Sequence, residues 1–189
     1  MSNHVAAIAR TTADRAKPVA LPLLFAVLMW ASTAAGAVPI PGTPVPITLQ
    51  TMVVMLAGLM LTPSQAAMSV AMYLGAGAAG LPVFTGGMST AALISPTGGF
   101  LLGFLPGVVV IALLKGRRRA ESALWTVPRY ALASVAGGIL TVYAFGIVMQ
   151  SVLTGVPIAA IAVASAGFIV GDLVKAAVAS LTAAALNRR

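Results

Sequence analysis

From Pro18 to Leu114 the chain carries no charged residue, and its apolar runs are broken only by glycine and proline clusters and scattered hydroxyls and amides. A stretch this long must be several membrane spans cut by its own helix breakers. Pro18 to Val38 predicts a first helix of about 31 Å, enough for a hydrocarbon core of about 30 Å. Pro39 to Pro46, read PIPGTPVP, holds four prolines and predicts a stiff extended loop, because proline lacks the helical donor and restricts its predecessor. Thr48 to Leu61 is a second helix of about 21 Å, too short to cross alone. Either the proline-rich loop dips into the outer half of the bilayer or protein surrounds the helix mouth, and both options describe a cavity.

Ser64 to Leu81 predicts a third span whose small residues Ala71, Gly75 and Ala79 suit close packing in lipid. Pro82 to Pro96 breaks the helix but stays uncharged, so it should fold back against protein. Thr97 to Leu114 is the fourth span, with Thr97 a candidate N-cap and Gly98 and Gly99 leaving backbone N–H groups open to an anion. Trp125 to Val152 and Ile158 to Leu186 complete six spans.

Charge then fixes an orientation. Lys115, Arg117, Arg118 and Arg119, the basic residues before Pro18 and the Arg188-Arg189 pair occur only where cytoplasmic segments are expected, and the opposite loops hold no Lys or Arg. The pattern predicts an all-α integral membrane protein, multi-pass in the inner (plasma) membrane, with six transmembrane helices and both termini cytoplasmic. Residues 1–17 form the tail and residues 18–187 one membrane domain. Arg129, early in the fifth span, must snorkel or pair with Glu121. A cleavable signal peptide would also start basic and end in small residues, but the first apolar region exceeds the usual length of one.

Composition sharpens the class: 60% of the 189 residues are hydrophobic and 7% charged, and the mean hydropathy is +1.04. No water-soluble domain of this size has that balance. The net charge of +8 is topological and does not indicate nucleic acid. With no cysteine and a single histidine, His4, in the tail, neither a metal centre nor a thiol catalyst is expected. No phosphate-binding GxxxxGK[ST] loop occurs, so energy for pumping must come from a partner. No catalytic residue and no cofactor are expected.

Within the apolar segments the polar inventory is short: Gln50, Thr97, Gln150, Asp172 and Lys175, with hydroxyls such as Thr48, Ser69, Tyr73 and Tyr143. Asp172 and Lys175, three residues apart, share a helix face. A charge at a membrane helix centre costs about 2.5 to 3.5 kcal/mol, so a retained pair marks either a site or an ion pair fixing helix packing. Gly167 and Gly171 just before it form a GxxxG that would let a helix or ligand approach. A channel for small neutral solutes or a ligand-free scaffold would also be charge-poor, but neither requires an intramembrane ion pair beneath two occluding loops. An enzyme would need a second catalytic group beside Asp172.

Four segments, TPVPITLQT at Thr43 to Thr51, GLPVFTGG at Gly80 to Gly87, SPTGGFLLGF at Ser95 to Phe104 and GDLVK at Gly171 to Lys175, together resemble the BioY family. These are the substrate-binding membrane subunits (S components) of energy-coupling-factor, or ECF, vitamin transporters that handle biotin. Val170 stands where the family often has proline, and Phe100 where an aromatic hydroxyl is common. The resemblance implies an ECF S-component-like six-helix bundle that takes biotin from outside and works with a transmembrane coupling subunit and ATPase subunits. It implies Asp172 accepting from the ureido N–H groups, with Lys175 donating to the ureido carbonyl or holding the carboxylate ionised. Gln50, Thr97, Phe84 and Tyr73 would line the pocket, and the biotin carboxylate would lie at backbone N–H groups of Gly86-Gly87 or of Gly98-Gly99. The coupling subunit would dock on the small residues Ala31, Ala34, Ala35 and Gly36 of the first span.

Overall fold

The computed structural model describes residues 19–39, 41–116 and 123–187. Within these it is all helical, and its only extended pairings are two isolated bridges, Val38 with Ile47 and Phe84 with Met88. The tail, Glu121, Arg117 to Arg119 and Arg188-Arg189 lie outside the described residues.

Six helices follow the apolar runs. Helix α1 (Val19–Ala34) buries Pro22, Phe25, Ala26, Met29, Ser32 and Thr33 and exposes Leu24, Leu28 and Trp30, the single buried face expected of a helix with one side against lipid. It ends four residues before the expected Val38, because Gly36 turns at φ 119° and Val38 instead exchanges two 2.8 Å backbone hydrogen bonds with Ile47. Those bonds pin the proline-rich loop back over the bundle.

Helix α2 (Gln50–Met60) has 11 residues, about 16 Å. It stops where the chain turns sharply into α3 (Pro63–Ala78), whose start is fixed by a capping box between Thr62 and Gln65 with Pro63 in the first turn. Helix α4 (Gly98–Leu114) follows a folded-back segment with a 3-10 turn at Thr85–Gly87 and one helical turn at Thr90–Leu93. Phe84 and Ala92 of that segment are buried. Helix α5 runs through Ala123–Ser134, a π-helical Val135–Thr141 and Val142–Thr154. Gly155, in the left-handed region at φ 71°, ends it. Helix α6 (Ile158–Leu186) buries a stripe through Ile161, Ser165, Phe168, Asp172, Ala176 and Ala179, with Val163, Val170 and Val174 exposed opposite. Two of these helices, Trp125–Thr154 and Ile158–Leu186, are individually long and apolar enough to cross a membrane.

The tightest packing joins α4 to α5. Gly99, Gly103 and Gly107 repeat every four residues along one face of α4. A Cβ at Gly99 would lie 2.6 Å from the Phe145 carbonyl oxygen, and one at Gly107 2.6 Å from that of Gly137. These glycines let backbone meet backbone, where lipid offers no hydrophobic gain for helix association. The Gly167/Gly171 pair plays no such part: Gly167 is exposed, and a Cβ on Gly171 would meet only Ile47, at 4.0 Å.

Gly107→Val therefore should destabilise the bundle by about 1 to 3 kcal/mol through overpacking. Gly75→Ala, whose new methyl meets nothing within 4 Å, should be neutral or add up to about 1 kcal/mol through helix propensity. Thermal melts of the detergent-purified variants check both.

Candidate substrate-binding site

Asp172 sits midway along α6, buried, and its carboxylate ties three helices together. From α2, Thr51 Oγ1 donates to Oδ1 at 3.0 Å. From α5, the Tyr143 hydroxyl donates to Oδ2 at 2.6 Å. One turn along α6, Lys175 Nζ donates to Oδ1 at 2.8 Å and to Thr51 Oγ1 at 3.1 Å. A buried charge is tolerable only when paired and hydrogen-bonded, and this cluster meets both conditions. It also leaves capacity: Oδ2 has one protein donor, and the three-donor ammonium of Lys175 has one N–H beyond its two bonds.

The cluster forms the floor of a cavity of about 220 Å³. The space beyond the N-terminus of α2 is filled by Pro44 to Thr48 of the proline-rich loop, which form one wall. Phe84, Thr85, Met88 and Ala92 form the facing wall. Phe100, Leu101 and Phe104 of α4 and Phe168 of α6 close the sides. The rings of Phe100, Tyr143 and Phe168 meet edge-to-face, with centroids 6.0 to 6.5 Å apart, the arrangement aromatic quadrupoles favour. Gly146 makes the room for Phe100, and Gly77 for Phe84. Gln50, at the first turn of α2, reaches the cavity buried, with its Nε2 unpartnered. The chamber is thus mostly apolar with a polar floor, which suits a small organic ligand carrying a compact polar head.

A family model described as "BioY family" matches residues 3–189. The chain belongs to the BioY family. Among curated relatives it is similar to "Biotin transporter BioY" of Rhizobium etli, 37% identical over 87% of this chain and 90% of that one. It is similar also to "Biotin transporter BioY" of Thermotoga maritima, 38% identical over 79% and 85%. Its fold matches the crystal structure of the S-component for biotin from an ECF-type ABC transporter, with a TM-score of 0.85, 26% identity and 93% of each chain covered. The four BioY-like segments converge on the cavity: they supply Pro44 to Thr51 apart from Leu49, then Phe84 and Thr85, then Thr97, Phe100, Leu101 and Phe104, and finally Asp172 and Lys175.

Of the residues singled out in the sequence, Asp172, Lys175, Gln50, Phe84 and Thr97 line the cavity. Tyr73 does not. It lies behind Phe84, with ring centroids 5.2 Å apart, and its hydroxyl donates to the Val83 carbonyl at 3.2 Å. Gly86 and Gly87 form an exposed left-handed turn beside Thr85, with φ of 74° and 73°. Thr97 holds the N-cap position of α4 without a capping bond from its side chain; its hydroxyl pairs with that of Ser95 at 2.7 Å instead. Gly98 and Gly99 are packing glycines and not an open anion cradle. The Gly98 N–H already donates to the Ser95 carbonyl at 2.8 Å, and the sites of their missing side chains are filled by the Leu93 backbone and by α5. Arg129 stacks near the Tyr130 ring, 6.0 Å from its centroid.

Thr51, Tyr143 and Phe168 were not singled out as site residues. Tyr143 carried a signal, as an aromatic hydroxyl inside an apolar span. Thr51 and Phe168 carried none, because a threonine beside Gln50 and a phenylalanine among aliphatics look like ordinary span residues. Tyr143→Phe removes a hydrogen bond to a charged acceptor and should lower stability by about 1 to 3 kcal/mol, read as a drop in melting temperature of the purified, ligand-free protein.

Proposed function

We propose that this chain is the biotin-binding membrane subunit of a vitamin uptake transporter. The observation that carries the proposal is the Asp172–Lys175 cluster at the floor of an otherwise apolar cavity, in a chain of the BioY family. Biotin's ureido ring has two N–H donors and one carbonyl acceptor. The unused capacity of Asp172 Oδ2 accepts from a ureido N–H, and the remaining N–H of Lys175 donates to the ureido carbonyl. The thioether ring and valeryl chain lie against Phe100, Leu101, Phe104 and Met88. The carboxylate points outward to the Gly86 N–H in the turn beside Thr85, since the Gly87 N–H already donates to the Phe84 carbonyl at 3.0 Å. The loop from Pro44 to Thr48 and the segment from Phe84 to Ala92 act as the covers over the bound vitamin.

The reading extends to partners and placement. All six helices cross the inner membrane, with both termini and the basic loop after α4 in the cytoplasm. The transmembrane coupling subunit docks on α1, where Ala31 and Ala34 are exposed on the helix, and the ATPase subunits supply the energy through it. Ala35 and Gly36, counted with that face in the sequence, lie beyond the helix end.

Asp172→Asn keeps the shape but leaves Lys175 without its counter-charge, a loss of about 3 to 5 kcal/mol for a buried pair. Biotin affinity by calorimetry, on protein shown to be folded by its melt, should fall by a factor of about 10² to 10³ or more. Binding within about threefold of the parent would reduce the pair to packing.

Orientation is checked in this cysteine-free chain by Ser64→Cys, exposed in the first turn of α3, and Val156→Cys, in the exposed loop between α5 and α6. A membrane-impermeant thiol reagent should label Val156→Cys from outside and Ser64→Cys only after the membrane is opened. Labelling of both from outside would overturn the six-span arrangement.

A further inference from the structure

Lys115 belongs by sequence to the basic loop, yet it is 8% exposed. Its Nζ donates to the Gly58 carbonyl at 2.9 Å and to the Leu61 carbonyl, both at the C-terminal end of α2. The local sequence explains why that end needs a donor from elsewhere. An α-helix satisfies the carbonyl of residue 58 with the N–H of residue 62, and that of residue 59 with the N–H of residue 63. Here the Thr62 N–H is directed to Gln65 Oε1 at 3.3 Å within the capping box of α3, and Pro63 has no N–H. The sharp turn that starts α3 therefore strips α2 of its own terminal donors. Lys115 supplies the donor missing at the Gly58 carbonyl and also reaches the carbonyl of the C-cap Leu61, and its charge complements the negative end of the helix dipole. The approach is possible because position 58 is glycine: a Cβ there would lie 2.6 Å from that of Ile111, one turn before Lys115 on the same face of α4.

The opposite end of α2 is held by a second ammonium. Lys175 donates to Thr51 Oγ1, and Thr51 donates to Asp172. With only 11 residues, α2 is short enough that a contact at one end bears on the position of the other. A displacement of a few tenths of an ångström at its C-terminus would carry Thr51 and Gln50 with it, enough to spoil hydrogen bonds near 3 Å. We infer that Lys115 is a positioning residue for the ligand site, fixing α2 along its axis so that Thr51 and Gln50 stand in register with Asp172 and Lys175. The charge that marks topology in the sequence is spent inside the bundle.

This inference rests on the biotin reading only for its affinity measurement, so it is tested two ways on the full-length, detergent-purified chain. In ligand-free protein, Lys115→Met should raise hydrogen exchange about tenfold in the first turns of α2, around Val53 to Met55, far from the lost contact, and Lys115→Arg should restore protection. Biotin binding by calorimetry should weaken about tenfold in Lys115→Met and return to within about threefold of the parent in Lys115→Arg. In a Thr51→Ala background Lys115→Met should add less than about twofold, because both changes then act through one contact. Lys115→Gln, which keeps a neutral donor, carries the same tests if the methionine variant does not fold. Faster exchange confined to the last turn of α2, with affinity within about twofold of the parent, would make Lys115 a local cap and overturn the inference. Additive losses with Thr51→Ala would overturn it as well, by placing the effect elsewhere. If the parent itself binds no biotin, the substrate reading fails and the exchange measurement alone decides the role of Lys115.

Discussion

A carboxylate held away from water governs this architecture. Asp172 is buried midway along α6, and its cost is offset only because Thr51, Tyr143 and Lys175 converge on it from three helices. Each partner imposes a condition on the rest of the chain. Thr51 must lie at the first turn of α2, so α2 begins at the level of the charge. Tyr143 must point inward just after the π-helical segment Val135–Thr141, where one extra residue per turn changes the direction in which the following side chains leave α5. The polar cluster is thus the floor of the cavity and also the point that sets the depth and rotation of its neighbours.

Beginning α2 so deep creates the cavity. An 11-residue helix cannot fill its column, and the part beyond its N-terminus is taken by extended chain from Pro44 to Thr48. Irregular backbone at membrane depth persists only where protein or a cavity satisfies it. Here the loop is anchored by the Val38–Ile47 exchange, and Thr48 accepts from the Gln50 N–H at 3.3 Å. Prolines suit the segment for the same reason, since they have no N–H to leave unsatisfied. The facing segment solves its problem with side chains: Phe84 occupies the space left by Gly77, and the Thr90 hydroxyl donates to the Gly77 and Ala78 carbonyls at 3.3 and 3.2 Å.

Rigidity beneath these covers comes from glycine. Gly99, Gly103 and Gly107 of α4 against Gly137 and Gly146 of α5 bring two backbones into contact, so the aromatic wall of Phe100, Tyr143 and Phe168 stands on the tightest part of the bundle. The chain thereby combines a closely packed wall and floor with two irregular, uncharged segments that line the same cavity.

The order of the helices, their membrane character and the pairing of Asp172 with Lys175 were legible in the residues alone, because each follows from a local property: an uninterrupted apolar run, a proline or glycine that breaks it, or a charge whose isolation is costly. The shortness of α2 was legible too, and with it a cavity at its mouth, one wall of which the proline-rich loop forms. Thr51, Tyr143 and Phe168 come to line the cavity only through the bundle, since their placement depends on the rotation of α2, α5 and α6 about their own axes, and a threonine or phenylalanine does not reveal the helix it will face. The same limit explains Gly98, Gly99 and Lys115. A glycine pair at a helix start reads as an open cradle until another helix is found against it, and a lysine after an apolar run reads as an anchor at the water until a neighbouring helix, deprived of its own donors by Thr62 and Pro63, draws it inward.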